Sequence, residues 1–188
     1  MIGLSEIGRI AAPASIFLLT AAGFGAMTTF LPVAGPTAVE ASWVLLTASL
    51  ALIAGRLAAG MLGDRIGGGR VLITTVLITG LGLALISQAL PHQSALLITG
   101  ACLLGLGFGA GQNDSFVVIV QRLGPERSAT ASTLWNMAYD GGLGLGAITL
   151  GWVIGSTGYA DAFLIAAFAI ALFGLLIHLI APGHRTRR

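Results

Sequence analysis

The sequence predicts an all-α membrane protein with six transmembrane helices, and three observations lead to that prediction. Hydrophobic residues make up 56% of the chain and charged residues only 9%, whereas soluble domains carry about 25% charge. The mean hydropathy is correspondingly high, at +0.95. The apolar residues form six long stretches, and the arginines fall in alternate connections between them. A soluble fold of this size would lack the charged side chains needed to cover its surface.

The six apolar stretches are long enough to cross a bilayer. A helix rises about 1.5 Å per residue, so about 20 residues span the roughly 30 Å of hydrocarbon. These segments must be helices because a lipid-facing segment has to satisfy its own backbone hydrogen bonds. The predicted spans cover residues 12–34, 40–62, 71–90, 95–120, 129–155 and 161–181.

All nine basic residues are arginines, and their positions predict the orientation of the spans. Those outside the spans are Arg9, Arg65, Arg70, Arg122, Arg127, Arg185, Arg187 and Arg188. The connections 35–41, 90–94 and 156–161 contain none. Cytoplasmic loops of helical membrane proteins are enriched in basic residues. We therefore expect a multi-pass protein of the cell membrane, either a plasma membrane or a bacterial inner membrane, with both termini in the cytoplasm.

The connection between the second and third spans carries a distinctive motif. A charged, glycine-rich turn is predicted directly after Gly63. The stretch of residues 55–72 around this turn resembles the loop signature of major facilitator superfamily transporters. That signature reads roughly G-x-L-A-D-R-x-G-R-R-R. Gly68 and Gly69 occupy two positions that are basic in that signature. The matching residues are Gly60, Leu62, Asp64, Arg65, Gly67 and Arg70.

Later segments resemble the same family in the same order and spacing. They are the glycine-rich run 100–111, the connection 122–131, the run 140–146 and the loop 158–163. The early motifs look most like the C-terminal half of the family. The resemblance implies one six-helix domain over residues 1–188, built from two three-helix inverted repeats at about 12–90 and 95–181. Such a domain is half of a complete transporter, so a second six-helix half or a homodimer partner is expected.

The resemblance also implies a gate. In the family, the aspartate of the signature holds the inward gate closed through a neighbouring basic residue and the positive end of a helix from the opposite half. Asp64 takes that position, and Arg122 is the expected basic partner within this chain. The alternative is an ordinary charged turn that only fixes topology. The gating motif comprises Gly60, Asp64, Arg65, Gly67, Arg70 and Arg122.

Three charged residues stand out well inside the predicted spans. Burying such a group costs about 2.5–3.5 kcal/mol on insertion scales, so these residues usually mark a pathway or an internal pair. Asp140 falls near the midplane, one turn after Asn136, and Asp114 directly follows Asn113. We expect Asp140 or Asp114 to titrate during transport, with Arg56 as a nearby counter-charge. A static pair between Arg56 and a carboxylate is the alternative.

Small residues recur at four-residue spacing in three of the predicted spans. They are Ala51, Gly55, Ala59 and Gly63 in the second span, the pairs Gly105 and Gly109 and Gly107 and Gly111 in the fourth, and the pairs Gly142 and Gly146 and Gly151 and Gly155 in the fifth. Small residues at this spacing let the backbones of two helices approach closely in a membrane. We therefore predict close helix packing along these small-residue positions.

Together these features predict a secondary transporter, or half of one, that moves a small solute by alternating access with proton coupling. Its expected partners are that solute, protons and the lipid bilayer, and not nucleic acid. Drugs, sugars and organic ions all suit the visible residues, and uptake and efflux both stay open. The alternative is a non-transporting scaffold, or degenerate half, that pairs with a partner.

An enzyme is not expected. Ser156 and His178 lie at opposite ends of the sixth span, about 33 Å apart by helix rise, whereas a nucleophile and its base must come within about 3 Å. The segments 105–110 and 142–147 mimic a dinucleotide fingerprint, but that motif needs a preceding strand in a soluble βαβ unit. The sequence predicts neither a cofactor nor a metal site.

Overall fold

The computed structural model describes residues 4–35, 37–90 and 94–180, and within these ranges the chain folds mainly into α-helices, with no strand. Six of the helices are long and apolar enough to cross a membrane. The predicted fold class, an all-α membrane protein with six transmembrane helices, is confirmed. The helices are α1 (Leu4–Phe30), α2 (Ala38–Ile66), α3 (Leu72–Ala89), α4 (Ser94–Leu123), α5 (Ser128–Thr157) and α6 (Tyr159–Ile180).

The bounds of α2 show how local chemistry starts and stops these helices. Its first turn is held by a capping box, in which the Glu40 amide donates to Thr37 Oγ1 (3.2 Å) and the Thr37 amide donates to Glu40 Oε2 (2.9 Å). The helix continues to Ile66 and ends at Gly67, whose φ of 89° suits a residue without a side chain. The end predicted near Gly63 is therefore too early, because the three following residues include no helix breaker.

Helices α1 and α4 form the centre of the bundle. α2 packs mainly on α4, α5 packs mainly on α1, and α3 lies against both α4 and α6. Phe17 of α1 and Phe108 of α4 are fully buried where the two central helices meet. α2 and α5 therefore occupy the two flanks. The equivalent roles of α1 and α4 fit the expected repeats at 12–90 and 95–181, and that division stays a prediction.

The central helices approach the flanking helices closely at glycines. A Cβ built on Gly142 of α5 would lie 2.6 Å from the Leu18 carbonyl oxygen of α1, closer than real Cβ atoms come. Gly146 meets the α1 backbone in the same way one turn later, and Gly105 and Gly109 of α4 meet the backbone of α2. At these two pairs the packing is close, as predicted, and a hydrogen atom is the only side group that fits. The prediction fails at Gly63 and Gly155, where a Cβ would meet no atom within 4 Å.

Leucine at Gly142 should push α5 away from α1 and lower the free energy of unfolding by about 1–3 kcal/mol, the usual cost of overpacking. The matched control is Gly144→Leu on the same helix, because a Cβ at Gly144 meets no atom within 4 Å. That change should cost less than about 0.5 kcal/mol. Reversible unfolding in mixed detergent micelles, followed by circular dichroism, gives both values. Equal losses at the two positions would contradict the close approach of α5 to α1.

Candidate functional site

Five arginines gather at one end of the bundle, where α1 and α5 begin and α2 and α4 end; we call this the arginine end. They are Arg9, Arg65, Arg70, Arg122 and Arg127. Two contacts join separate segments there. The Gly69 amide donates to Asp114 Oδ1 over 2.7 Å, and Arg122 Nη1 donates to the carbonyl oxygen of Arg9. The tail residues Arg185, Arg187 and Arg188 lie outside the described residues.

A polar cavity of about 210 Å³ lies at the arginine end, between α2, the α2–α3 turn and α4. It is lined by Gly60, Gly63, Asp64, Gly67, Gly68, Asn113, Asp114, Val117 and Gln121. The gating residues Asp64, Arg65 and Arg70 are exposed, the first two in the last turn of α2. Asn113 and Asp114, expected in the solute pathway, line this cavity together with Gly60, Asp64 and Gly67 of the gating motif, and their place in the pathway stays a prediction.

Asp114 fastens the α2–α3 turn to α4. Its side chain is only 1% exposed, and one of its oxygens accepts the hydrogen bond from the Gly69 amide. Gly69 has a φ of 86°, and a Cβ on Gly68 would lie 3.0 Å from Val117 Cγ1. Larger side chains at these two positions would strain the turn or crowd it against α4. The glycines that replace basic residues of the loop signature thus let the turn lie directly on the helix.

Arg122 supplies a hydrogen bond that Pro13 removes from α1. Pro13 lies inside the helix and has no amide hydrogen, so it cannot donate to the carbonyl of Arg9, four residues earlier. Arg122, at the end of α4, donates its Nη1 to that carbonyl. The guanidinium therefore joins α4 to α1, while Asp64, its expected partner, lies exposed at the end of α2.

Arg122→Ala should destabilise the fold by about 1.5–3 kcal/mol, the range for hydrogen bonds to charged groups. Pro13→Ala restores an amide hydrogen for the Arg9 carbonyl, so the same arginine change should cost about 1 kcal/mol less in that background. A double-mutant cycle of unfolding free energies measures this coupling. Arg65→Ala, at an exposed position of the same end, is the control and should change stability little. A coupling of zero between Pro13 and Arg122 would refute the claim that Arg122 replaces the hydrogen-bond donor that Pro13 lacks.

A second polar group lies further into the bundle from the arginine end. Arg56 lies ten residues before the end of α2, and Asp140 lies twelve residues after the start of α5. They are therefore about 15 Å and 18 Å from the arginine end. Arg56 Nη1 donates to Gln112 Oε1 of α4 over 3.4 Å, so this bond goes to an amide and not to a carboxylate. Arg56, Asn136 and Asp140 are all exposed in this chain.

Aromatic rings connect the two charged positions across the bundle. Gln112 and Phe108 are four residues apart and share one face of α4. The Phe108 ring lies 6.0 Å from the Tyr139 ring of α5, and Asp140 is the next residue in the chain. A row therefore runs from Arg56 on α2, across α4, to Asp140 on α5. Gln112 and Phe108 are buried, so the row passes through the bundle. We call the exposed surfaces at its two ends, around Arg56 and Asp140, the open face.

The family model described as Major Facilitator Superfamily matches residues 13–188 of this chain. The chain belongs to the major facilitator superfamily. Membership confirms the resemblance carried by the loop signature. It makes the chain a multi-pass membrane protein of a transporter family and points away from an enzyme.

Three relatives carry transporter names. An uncharacterized MFS-type transporter of Salmonella typhimurium is 29% identical over 189 residues, which cover 96% of this chain and 47% of that protein. The multidrug efflux pump LfrA of Mycolicibacterium smegmatis is 33% identical over 135 residues, covering 70% of this chain and 26% of the pump. Monocarboxylate transporter 13 of Rattus norvegicus is 34% identical over 145 residues, covering 75% of this chain and 33% of the transporter. This superfamily chain spans about half the length of the first relative and a smaller share of the other two.

Several contacts in this superfamily chain were not predicted from its sequence. Besides the bonds made by Gly69 and Gln112, Trp135 Nε1 donates to Ser115 Oγ over 3.1 Å and joins α5 to α4. Pro13 carries a visible signal, because a proline inside a predicted span implies a carbonyl in need of another donor. The other contacts have no signal in the sequence, because the partner of each residue depends on which helix faces meet.

Proposed function

We propose that this chain is one six-helix half of a secondary transporter that moves a small solute by alternating access and couples the movement to protons. Superfamily membership supports transport as the general activity. Relatives named as a multidrug efflux pump and a monocarboxylate transporter support a small organic molecule as the solute. The arrangement of charges on the open face supports alternating access and proton coupling.

The exposed charges on the open face are the observation that carries this proposal. Arg56 and Asp140 are exposed about 15–18 Å along their helices from the arginine end. An ionisable side chain at this depth costs about 2.5–3.5 kcal/mol on insertion scales when it faces hydrocarbon. A water-filled cavity, closed on its other side by a second six-helix unit, removes that cost. The open face is therefore assigned to the cavity between two halves.

Asp140 is the proton carrier in this proposal, with Arg56 as its counter-charge across the open face. Closing a cavity around a carboxylate favours the protonated form, and opening the cavity to water favours ionisation. Alternating access presents Asp140 to the two sides of the membrane in turn, so proton uptake and release follow the movement of the cavity. Asp114 accepts the amide of the α2–α3 turn and is assigned to the gate beside Asp64.

The opposing surface comes from a second six-helix half or from a second copy of this chain. Either unit would also supply the helix end that Asp64 needs to close the gate, since a carboxylate is stabilised near the positive N-terminus of a helix. The excess of arginine supports a cytoplasmic location for the arginine end, and with it for both chain termini, in a cell-membrane protein. The domain is the whole chain, 1–188.

Asp140→Asn should abolish proton-coupled flux while leaving membrane insertion intact, because the amide keeps the shape of the side chain but cannot titrate. Asp161→Asn, at an exposed carboxylate in the first turn of α6, is the matched control and should keep its coupling. Both variants would be reconstituted into vesicles with a partner half, where solute entry and internal pH are followed together. Unchanged coupling in Asp140→Asn would remove this residue from the mechanism.

A non-transporting scaffold is the second candidate function, because the exposed charges of the open face would also be covered in a complex that moves no solute. Both candidates predict a stable complex with a partner half, whereas only the transporter predicts solute flux. The purified chain would be reconstituted alone and with any six-span half encoded in the flanking DNA, and tested with a panel of drugs, sugars and organic ions. Flux in either arm supports the transporter. A stable complex without flux for any solute supports the scaffold.

A further inference from the structure

Five aromatic side chains from three helices form a continuous stack, which we call the aromatic wall. Its members are Phe17 and Phe24 of α1, Phe108 of α4, and Trp135 and Tyr139 of α5. The closest ring centroids are 4.5 Å apart for Phe24 and Phe108 and 4.9 Å apart for Phe17 and Trp135. Neighbouring rings lie within 23° of parallel. Such spacing is typical of offset stacking, and it gives the wall one common ring orientation.

The wall is anchored at its centre and accessible at its edge. Phe17 and Phe108 are fully buried, whereas Phe24, Trp135 and Tyr139 are half-buried. The indole nitrogen of Trp135 already donates to Ser115 Oγ, so its ring offers only apolar and π contacts. A flat ring that enters the open face therefore meets half-buried rings already fixed in a parallel orientation.

Acceptor oxygens lie next to the accessible edge of the wall. Asp140 directly follows Tyr139 and is exposed, and no hydrogen bond or ion pair reaches its carboxylate from the residues that the structure describes. Asn136 lies one turn earlier, and its amide nitrogen donates to the Ser132 carbonyl over 2.9 Å, which leaves its Oδ1 as an acceptor. The cation of the row, Arg56, lies on the opposite flank and is hydrogen-bonded to Gln112.

We propose that the aromatic wall and Asp140 form a binding site for flat aromatic organic cations. The ring of the ligand stacks on Trp135 and Tyr139, and its positive nitrogen lies beside the Asp140 carboxylate and Asn136 Oδ1. Ring faces attract cations as well as rings, so wall and carboxylate favour the same ligand. A sugar has no flat apolar body for the wall, and an aromatic carboxylate is repelled by Asp140. This inference rests on the proposed function, because it names the substrate class of the transport cavity.

The test is equilibrium binding to the full chain in nanodiscs, with empty nanodiscs as background. The probe is N-methylacridinium, a flat aromatic cation, whose fluorescence anisotropy reports binding. Acridine-9-carboxylate has a similar ring with a negative charge, and tetramethylammonium, applied as a competitor, has the charge without a ring. N-methylacridinium should bind at least about tenfold more tightly than the other two. Equal binding of the two acridines would overturn the proposal.

Two matched pairs of variants localise the site. Trp135→Leu should weaken N-methylacridinium binding about tenfold, whereas Trp152→Leu, at an 87% exposed tryptophan of the same helix, should leave it within twofold. Asp140→Asn should weaken it to a similar degree, with Asp161→Asn as the unaffected control. Unchanged binding in both Trp135→Leu and Asp140→Asn would overturn the assignment.

Charge reversal keeps the test decisive if Trp135→Leu fails to fold. Asp140 is exposed, so Asp140→Lys should fold and should reverse the preference, binding acridine-9-carboxylate more tightly than N-methylacridinium. An unreversed preference would place the cation site elsewhere. Binding without flux in any reconstitution would refute the transport function and leave the site in place. Flux of another solute, with no binding of N-methylacridinium, would refute the site and leave transport in place.

Discussion

Hydrocarbon offers no hydrogen-bonding partner to a peptide group, and this constraint shapes the whole bundle. Each span must satisfy its backbone internally, so each span is a helix. Pro13 departs from the rule, because it removes a donor from the middle of α1. The carbonyl that loses its partner belongs to Arg9, and it receives a guanidinium from the end of α4. A local defect in one helix is thereby converted into a contact between the two central helices.

The same constraint determines how the helices are held together and where charge is tolerated. Lipid tails are as apolar as leucine, so association depends on close backbone approach, as at Gly142 and Leu18. Apart from Glu40 and Asp161, at the end opposite the arginines, the charged groups of the described residues lie at two levels of the bundle. At the arginine end, Asp114 binds the α2–α3 turn and Arg122 binds α1. About 15–18 Å further along the helices, Arg56 and Asp140 lie exposed on the open face. The first level joins elements of this chain, and the second is the level that the proposed function assigns to a transport cavity.

The fold could be predicted from the sequence because its main determinants are local. Hydropathy over about 20 residues identifies a span, and arginine in alternate connections gives the relative direction of the helices. The end of α2 was misplaced because the charged residues after Gly63 suggested a turn, whereas only the positive φ of Gly67 ends the helix. The site was less predictable. Asp114 and Gln112 are two residues apart on α4, about 200° around the helix axis, so one meets the turn and the other meets Arg56. Which residue takes which partner is set by tertiary packing, which the sequence does not display.

The bond between the α2–α3 turn and Asp114 has a donor in the main chain. A comparison of side chains alone would count Gly68 and Gly69 as losses from the loop signature, since both stand where the signature has cations. The backbone amide of Gly69 nevertheless donates to the buried Asp114 carboxylate over 2.7 Å. This contact is possible because Gly68 and Gly69 have no side chains to separate the turn from α4. Two sequences with different residues in this turn can therefore hold the turn on the helix equally well, one through side chains and the other through a backbone amide. A comparison of residue types alone does not detect the second kind of contact.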